Sequence, residues 1–554
     1  MITKLATDQS KNTMAVLLIA LIILSSCAFF YKLGEPDIYH IRLESRRAEI
    51  ARNMVETGNW LVPQIAGDVI LTKPPLYFWS VGLCSLKTGV NEFTARVPSA
   101  LAGIGTIIFT FLLGSLLFSR RSGAIAALAL LITNIFLFEA RYAEMESMLT
   151  FFITGSLYFF FKGYKDQNRA KFWFALFFAM MGLGTMTKGP FAFTFPLIPV
   201  ILYLFTYGER KLLTRKPFLS GLIFFFLIVL PWVVLIVMKY PDFFKLVAWE
   251  TVAYYGKGEG GHREPFYYYF KTIFGTMFPW VFILPFSVWI AFSAKLRSIR
   301  RENVFLMLWL LGNFIFLTGS KSKRDFYLDP LAPGLALLIG STWEALWERA
   351  REKIRYSPAV ITWICFFAGA AFVAASFVAA SFAVKGHELL SYPGKELPRS
   401  SSLLVFLGLN CMLAAGIKIF ISNIPGWKAA LASLATVILA LHFFNLTYTT
   451  PIRNAEESGR NFFVHAAHII KKSDPLAYYA SIENFAFSFY AHRLVKYIKE
   501  EDAAVAFMAS PEKKYLVLTA RSLENFDESR WRVVLKSSYS KEHPGREYVL
   551  VSNQ

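Results

Sequence analysis

The chain has 554 residues, a formal net charge of +20, 55% hydrophobic and 17% aromatic residues, and a mean hydropathy of +0.44. A soluble nucleic-acid binder can be that basic but does not carry 55 Phe as well, so the composition reads as a polytopic membrane protein, in which excess Lys and Arg is a topological signal and implies no nucleic acid. Cys27, Cys84, Cys365 and Cys411 all sit in apolar stretches without a CxxC or Cys/His cluster, which argues against a disulfide framework or structural zinc.

A bilayer core of about 30 Å takes about 20 apolar residues per helix. In chain order the predicted spans are 13–31, 97–118, 122–139, 147–161, 172–187, 189–207, 217–238, 272–293, 303–319, 330–347, 358–384, 402–421 and 429–447. The first is followed by Lys32, Gly34 and Glu35 with no small-x-small cleavage site, so it is expected to be retained rather than removed as a signal peptide. Segment 74–86 opens with two prolines and is too short to cross, which makes it a re-entrant or interfacial helix. That leaves about 13 spans, an N-terminus in the cytoplasm and a C-terminus outside. Segments 162–171, 208–216, 294–302 and 348–357, with four Lys/Arg each, then fall in the cytoplasm, and residues 33–96, with seven basic and seven acidic residues, fall outside.

The expected plan is a cytoplasmic segment and first helix (1–32), a first outer loop with interfacial helices (33–96), a membrane core (97–347) containing an outer loop at 240–271, further membrane helices (348–447), and a polar tail (448–554). β-prone runs recur in the tail at Leu476–Ala480, Phe485–Tyr490, Tyr515–Thr519, Val533–Leu535 and Tyr548–Val551, separated by helix-like stretches such as 492–501. The fold class is an all-α polytopic membrane protein with a small C-terminal extracytoplasmic α/β domain.

Ionisable groups near outer helix ends are where chemistry is to be sought, because burying them is costly without a partner or a watery cavity. In the helical segment 43–57, Arg46, Glu49, Asn53 and Glu56 share a polar face, while Glu44 and Arg47 project onto the apolar one, where they could simply pair as i, i+3 neighbours. Thr72-Lys73-Pro74-Pro75 fixes a lysine at the mouth of the short helix, although a lone lysine there also suits a snorkelling anchor. Arg141 and Glu146 flank an outer turn, and Glu146, opening the next helix, could merely complement its dipole. Lys188 interrupts apolar helices in Thr187-Lys188-Gly189-Pro190, and Lys321, Lys323 and Arg324 form an outer basic cluster that topology does not require and a phosphate would suit. The glycine-rich stretch around His262 reads as a lid rather than a nucleotide cradle, and no Walker, Rossmann, nucleophile-elbow or HExxH pattern occurs.

The order of these motifs, an acidic helix, KPP, R…E before a helix, TKGP, a glycine/His loop, and a lysine-rich segment followed by Tyr327-Leu328-Asp329-Pro330, resembles the lipid-linked-sugar glycosyltransferases of the aminoarabinose transferase and protein O-mannosyltransferase superfamily, with its GT-C architecture. The resemblance covers about residues 35–335. It implies transfer of a sugar from a polyprenyl-phosphate donor to a lipid, glycan or protein acceptor at the outer face of a bacterial inner membrane. Glu44 is then the expected general base, with Arg46 and Glu146 beside it, and Lys73, Lys188, Lys321, Lys323 and Arg324 receive the phosphate; Arg47, Arg141 and His262 are further candidates. Where the family places an acidic pair, this chain has Leu43-Glu44, and where it has Glu-Lys-Pro-Pro this chain has Thr72, so the divalent cation that relatives often bind is not a firm expectation here. A glycolipid binder without catalysis and a transporter of lipid-linked sugars are the competing readings.

Overall fold

The computed structural model describes residues 2–38, 43–65, 68–250, 252–253, 256, 263–353 and, with interruptions at 437, 441, 452–453, 455–457, 472, 480–484, 494, 527–530 and 538–546, residues 435–554. His262 and the expected spans 358–384 and 402–421 lie outside the described residues, as does most of the expected domain 348–447.

The helices are α1 Ile2–Phe30, α2 Glu44–Thr57, α3 Leu76–Ser85, α4 Glu92–Leu117, α5 Arg120–Leu131, α6 Asn134–Glu139, α7 Met145–Lys165, α8 Ala170–Lys188, α9 Phe191–Thr206, α10 Lys216–Lys239, α11 Phe243–Glu250, α12 Tyr268–Thr276, α13 Leu284–Ala291, α14 Arg300–Gly319 and α15 Ala332–Lys353. Among the described residues, four helical stretches are long and apolar enough to cross a membrane unaided: Glu92–Leu117, Gln167–Lys188, Lys216–Lys239 and Leu296–Gly319. Helix α10 shows what its solvent is, because Ile223, Phe224, Leu227, Leu230 and Val234 stay exposed, as lipid-facing residues do.

Two expected spans are broken. The stretch 122–139 divides into α5 and α6, and 272–293 into α12, a 3-10 turn Trp280–Phe282, and α13. Apolar periodicity cannot register such breaks, since the interruption is made of backbone polar groups that another segment satisfies. Here the two breaks satisfy each other: Asn134 donates from its amide to Phe278 O (3.0 Å) and from Nδ2 to Gly275 O (2.9 Å), and Trp280 Nε1 donates to Ala129 O (2.8 Å). Small residues let the helices approach closely. A Cβ on Gly114 would lie 2.7 Å from Gly123 Cα, and one on Gly340 would lie 2.4 Å from Ser122 O, which joins α4, α5 and α15.

In the tail, helices α16 Arg460–Ile469, α17 Phe485–Ala491 and α18 Glu501–Met508 pack on a sheet of β3 Leu476–Tyr479, β4 Lys496–Ile498, β5 Tyr515–Thr519, β6 Arg532–Lys536 and β7 Tyr548–Ser552, ordered β4-β3-β5-β7-β6, after a two-stranded ribbon, β1 Gln64–Ile65 and β2 Asp68–Val69, in the first loop. Strand β3 runs parallel to β4 and β5, whereas β7 is antiparallel to β5 and β6. The expected strand at Phe485–Tyr490 is helix α17, and the helix-like stretch 492–501 holds strand β4. A parallel β3–β4 pair needs a crossover between them, and α17 supplies it. Its residues are buried all round, so its sequence shows no 3.6-residue period.

The tail domain rests on the first outer loop. Arg52 Nη1 donates to Phe489 O (2.9 Å), the Ile38 amide donates to the Tyr490 hydroxyl (2.8 Å), and Arg460 reaches Asp37 (3.0 Å) and Glu92 (3.6 Å). Residues Ala48, Ala51, Met54 and Tyr77 of the loop share one apolar cluster with Phe463, Phe487 and Tyr490 of the tail. This cover corrects the expected polar face of α2, on which Glu49 and Asn53 are buried. Burial pushes the Glu49 carboxyl up to about 7 against the pull of Arg52, its partner at 2.6 Å.

The fully buried Arg96 and half-exposed Arg460 are expected to differ sharply in weight. Arg96→Met should destabilise the detergent-solubilised protein by about 3–5 kcal/mol, as loss of one partner from a buried pair does. Arg460→Met should cost about 1 kcal/mol or less; thermal unfolding of the two variants side by side measures the contrast.

Candidate active site

The site is assembled where α2 meets the outer ends of α4, α7 and α8. Helix α4 starts at a capping box: Asn91 Oδ1 accepts from the amides of Phe93 and Thr94 (both 3.0 Å), and Thr94 Oγ1 accepts from the Asn91 amide (2.9 Å). The first turns so fixed carry Arg96, which is 1% exposed and uses every donor of its guanidinium. Nε and Nη2 hold Glu44 (2.9 and 3.0 Å), while Nη1 donates to Leu33 O and Pro36 O (3.1 and 2.6 Å) and Nη2 also to Asp37 O (3.3 Å). The Ala143 amide adds a third bond to Glu44 (2.6 Å).

The i, i+3 pair expected between Glu44 and Arg47 is therefore not formed. Arg47 turns instead to Glu144 (2.9 Å), whose other oxygen accepts the Leu43 amide (3.1 Å). Glu44 and Arg47 do face inward, as their position on α2 predicts, but each meets a partner far along the chain. Arg141 caps α1, donating to the carbonyls of Ala28, Phe29 and Tyr31 at 2.7–2.9 Å.

The third pair is Lys188 with Glu146, Nζ to Oε1 at 2.5 Å, the lysine side chain 12% exposed and the acid 1%. Gly189, at φ 74°, turns the chain directly after this lysine, and Pro190 precedes α9, so the TKGP motif works as a sharp reversal that leaves Lys188 at a helix end. The ammonium lies 4.5 Å from the Tyr327 ring centre and 5.9 Å from that of Phe326. Glu146, Lys188, Tyr327 and Pro330 share with Leu149, Phe191, Phe195 and Leu317 the lining of a cavity of about 10 Å³, room for about one water.

The 3-10 turn Asp325–Leu331 adds Asp329, a residue not singled out in the sequence. It is fully buried; Oδ2 accepts from Thr150 Oγ1 (2.6 Å), and Oδ1 has no hydrogen-bond partner among the described residues. Burial pushes its carboxyl up to about 7, with the Thr150 bond opposing, Glu146 reinforcing and Lys188 opposing the rise.

The expected basic cluster does not converge. Lys323 is buried and donates to the carbonyls of Glu264 (3.2 Å) and Ser320, which ties the end of the 240–271 loop to the chain after α14 together with the bridge of Arg263 to Ser322. Burial depresses its ammonium below the usual lysine range. Lys321 is exposed, and Arg324 is half-buried against the Phe326 ring at 5.4 Å. Arg46 and Lys73 are half-buried, Lys73 in the turn whose neighbour Leu71 packs on Met186 near the end of α8. Among the described residues the acids offer no converging donor set for a divalent cation: Glu44, Glu144 and Glu146 each hold a cationic side chain, and position 43 is Leu.

Sequence reasoning missed Arg96, Glu144, Tyr327 and Asp329. Arg96 had a signal, a charge within the opening turns of an apolar helix, and Asp329 one of its own, a charge just before an apolar run; Glu144 was masked by its neighbour Glu146.

A family model described as dolichyl-phosphate-mannose-protein mannosyltransferase matches residues 14–247. An uncharacterized protein of Aquifex aeolicus is 30% identical over 336 residues, 60% of this chain and 65% of its own length. An undecaprenyl phosphate-alpha-4-amino-4-deoxy-L-arabinose arabinosyl transferase of Pseudomonas fluorescens is 32% identical over 308 residues, 54% of each chain. The matched part thus spans between about half and two thirds of these relatives. Among solved structures, ArnT from Cupriavidus metallidurans bound to undecaprenyl phosphate superposes with a TM-score of 0.77 at 19% identity over 98% of both chains, and its apo state with 0.75. At that identity the likeness establishes the GT-C fold.

A raised carboxyl makes stability fall as pH climbs, because the native state holds a proton that the unfolded chain releases. For Asp329 the loss runs from about its ordinary value of 3.8 to about 7 and is complete above that. Asp329→Asn should therefore raise the unfolding temperature at pH 8 relative to the unchanged chain, with the difference shrinking towards pH 4; thermal unfolding across that range reads it.

Proposed function

We propose that this chain, a relative by sequence and fold of the aminoarabinose transferase and protein O-mannosyltransferase superfamily, is an integral-membrane glycosyltransferase. It moves one sugar from a polyprenyl-phosphate donor to a lipid, glycan or protein acceptor at the outer face of the membrane. The observation that carries the reading is Lys188: a cation at the end of a membrane helix, 12% exposed, beside apolar Phe191, Phe195 and Leu317. A polyprenyl phosphate asks for that combination, apolar surface for the tail and a poorly hydrated cation for the head.

In the transfer, an acceptor oxygen forms a bond to the anomeric carbon as the bond from that carbon to the phosphate oxygen breaks. The electron pair leaves with the phosphate, and in-line attack inverts the centre. The phosphate gains negative charge as it departs, so a cation already placed there lowers the barrier. Lys188 does this by exchanging part of its contact with Glu146 for the phosphate, while the rings of Tyr327 and Phe326 keep it from swinging away. Lys73, Arg46, Lys321 and Arg324 stay candidates for further phosphate contacts, and Lys323 is assigned to holding the loop.

Glu44 is assigned to positioning α2 rather than to proton transfer, since the Arg96 guanidinium and the Ala143 amide engage both of its oxygens. An acceptor that attacks through an already ionised oxygen, such as a phosphate, needs no base. The basic ends of α7 and α14 lie at the far ends of those helices from the site, which favours a cytoplasmic side there and an extracytoplasmic tail domain.

Purified protein given a labelled polyprenyl-phosphate sugar and an extract of candidate acceptors should release polyprenyl phosphate only when acceptor is present. Lys188→Met should slow the release about 10²- to 10³-fold. Donor that binds and never reacts would favour the non-catalytic binder, a reading that Leu43 and the occupied Glu44 keep in view.

A further inference from the structure

The cluster around Lys188 holds more acid than its cations can balance. Glu144 answers Arg47 and Glu146 answers Lys188, which leaves Asp329 as a third buried carboxyl group, next in the chain to Pro330, which lines the cavity with Glu146 and Lys188. Thr150, one turn along α7 from Glu146, donates to Asp329 Oδ2 and fixes its plane. Asp329 Oδ1 and Glu146 Oε2 are both enclosed and lack hydrogen-bond partners among the described residues. Tyr327, whose ring covers the Lys188 ammonium, stands two residues before Asp329 in the same turn, and Pro330 after it lines the water-sized cavity.

We propose that Asp329 is a positioning residue that acts on the donor phosphate through Lys188: as an uncharged acid it leaves the ammonium free to take the phosphate, and as a carboxylate it competes with the phosphate for that ammonium. The proposal rests on the donor-site reading above. Its physical basis is charge count. With Asp329 neutral, the buried set of Arg47, Lys188, Glu144 and Glu146 sums to zero, and an arriving phosphodiester brings the only unpaired negative charge. With Asp329 ionised, the pocket is already one charge negative before the phosphate arrives, in surroundings too dry to screen it.

The elements packed against the turn are α6, α7, α12, α14 and α15. The charges that act on the Asp329 carboxyl are Glu146 on α7 and Lys188 on α8. Arg47 acts on Glu146, and the other elements packed on the turn carry the buried Glu139 on α6 and Lys271 on α12. The charged residues of α14 whose positions are described lie in its first turn, at the end remote from Gly319. The burial that drives the Asp329 carboxyl up to about 7 sets where the change from one state to the other falls.

The test is binding of a short-chain polyprenyl phosphate methyl ester, a diester that carries one charge at every pH used, measured by calorimetry on the full chain in detergent at pH 5.5 to 8.5. The unchanged protein should lose about tenfold in affinity across pH 7, a difference of about 1.4 kcal/mol. Asp329→Asn, which keeps an acceptor for Thr150 and cannot ionise, should bind equally at both ends of the range, with an affinity matching the unchanged protein at pH 5.5. A purely structural role would lower stability and leave the pH profile as it was, so an Asn variant that keeps the tenfold fall overturns the proposal. Should that variant fail to fold, Thr150→Val, which removes the bond that opposes the rise, should move the midpoint upward, and an unmoved midpoint overturns it equally. Failure of the unchanged protein to bind the diester at any pH would overturn the donor-site reading itself, an outcome distinct from a shared profile.

Discussion

An arginine taken wholly out of water must have a partner for its charge and an acceptor for each N–H, and Arg96 meets both demands at once. Its five donors are spent on one carboxylate and three backbone carbonyls. Those carbonyls belong to the chain leaving α1, the carboxylate opens α2, and the arginine itself belongs to the first turns of α4. One side chain therefore ties the chain leaving α1 and the start of α2 to the first turns of the long span α4. Removing either partner would strand a charge where water does not reach.

The consequences spread outward from that lock. With Glu44 held, α2 lies at a fixed rotation, so Arg47 points at Glu144 and the opposite face, with Glu49 and Arg52, meets the tail domain. The loop, the membrane core and the tail thereby form one continuous support beneath Lys188. On the function proposed above, transfer from a polyprenyl phosphate would depend on such support, because the protein's contribution there is to hold a cation where negative charge accumulates. A cation held by a carboxylate and flanked by two aromatic rings is placed without a full shell of water.

Much of this was legible from residues alone. Composition and basic loops identify a membrane protein, the apolar runs locate most helices near their observed limits, and the motif order points to the fold that superposition establishes. The inward turn of Glu44 and Arg47 also followed from helical spacing. What failed has a common cause, which is that a sequence displays periodicity but not partners. The break at Asn134 is invisible because its backbone bonds are returned by Gly275 and Phe278. Helix α17 hides its period because it is buried on every side. The Lys321–Arg324 run reads as one phosphate site, yet Lys323 turns inward to carbonyls of its own chain and of the preceding loop. Asp329 went unnoticed because its meaning lies in Thr150, Glu146 and Lys188, on two other helices.

On the function proposed above, Glu44 is a strut for α2 and not the group that takes a proton from the acceptor. Glu44→Gln, assayed for thermal unfolding and for transfer per folded molecule, tests it most directly. A stability loss of several kcal/mol is expected, the scale of a broken buried pair, with transfer by the molecules that remain folded keeping its pH dependence. A variant as stable as the unchanged protein that transfers no sugar would contradict it, and would return Glu44 to the role of general base.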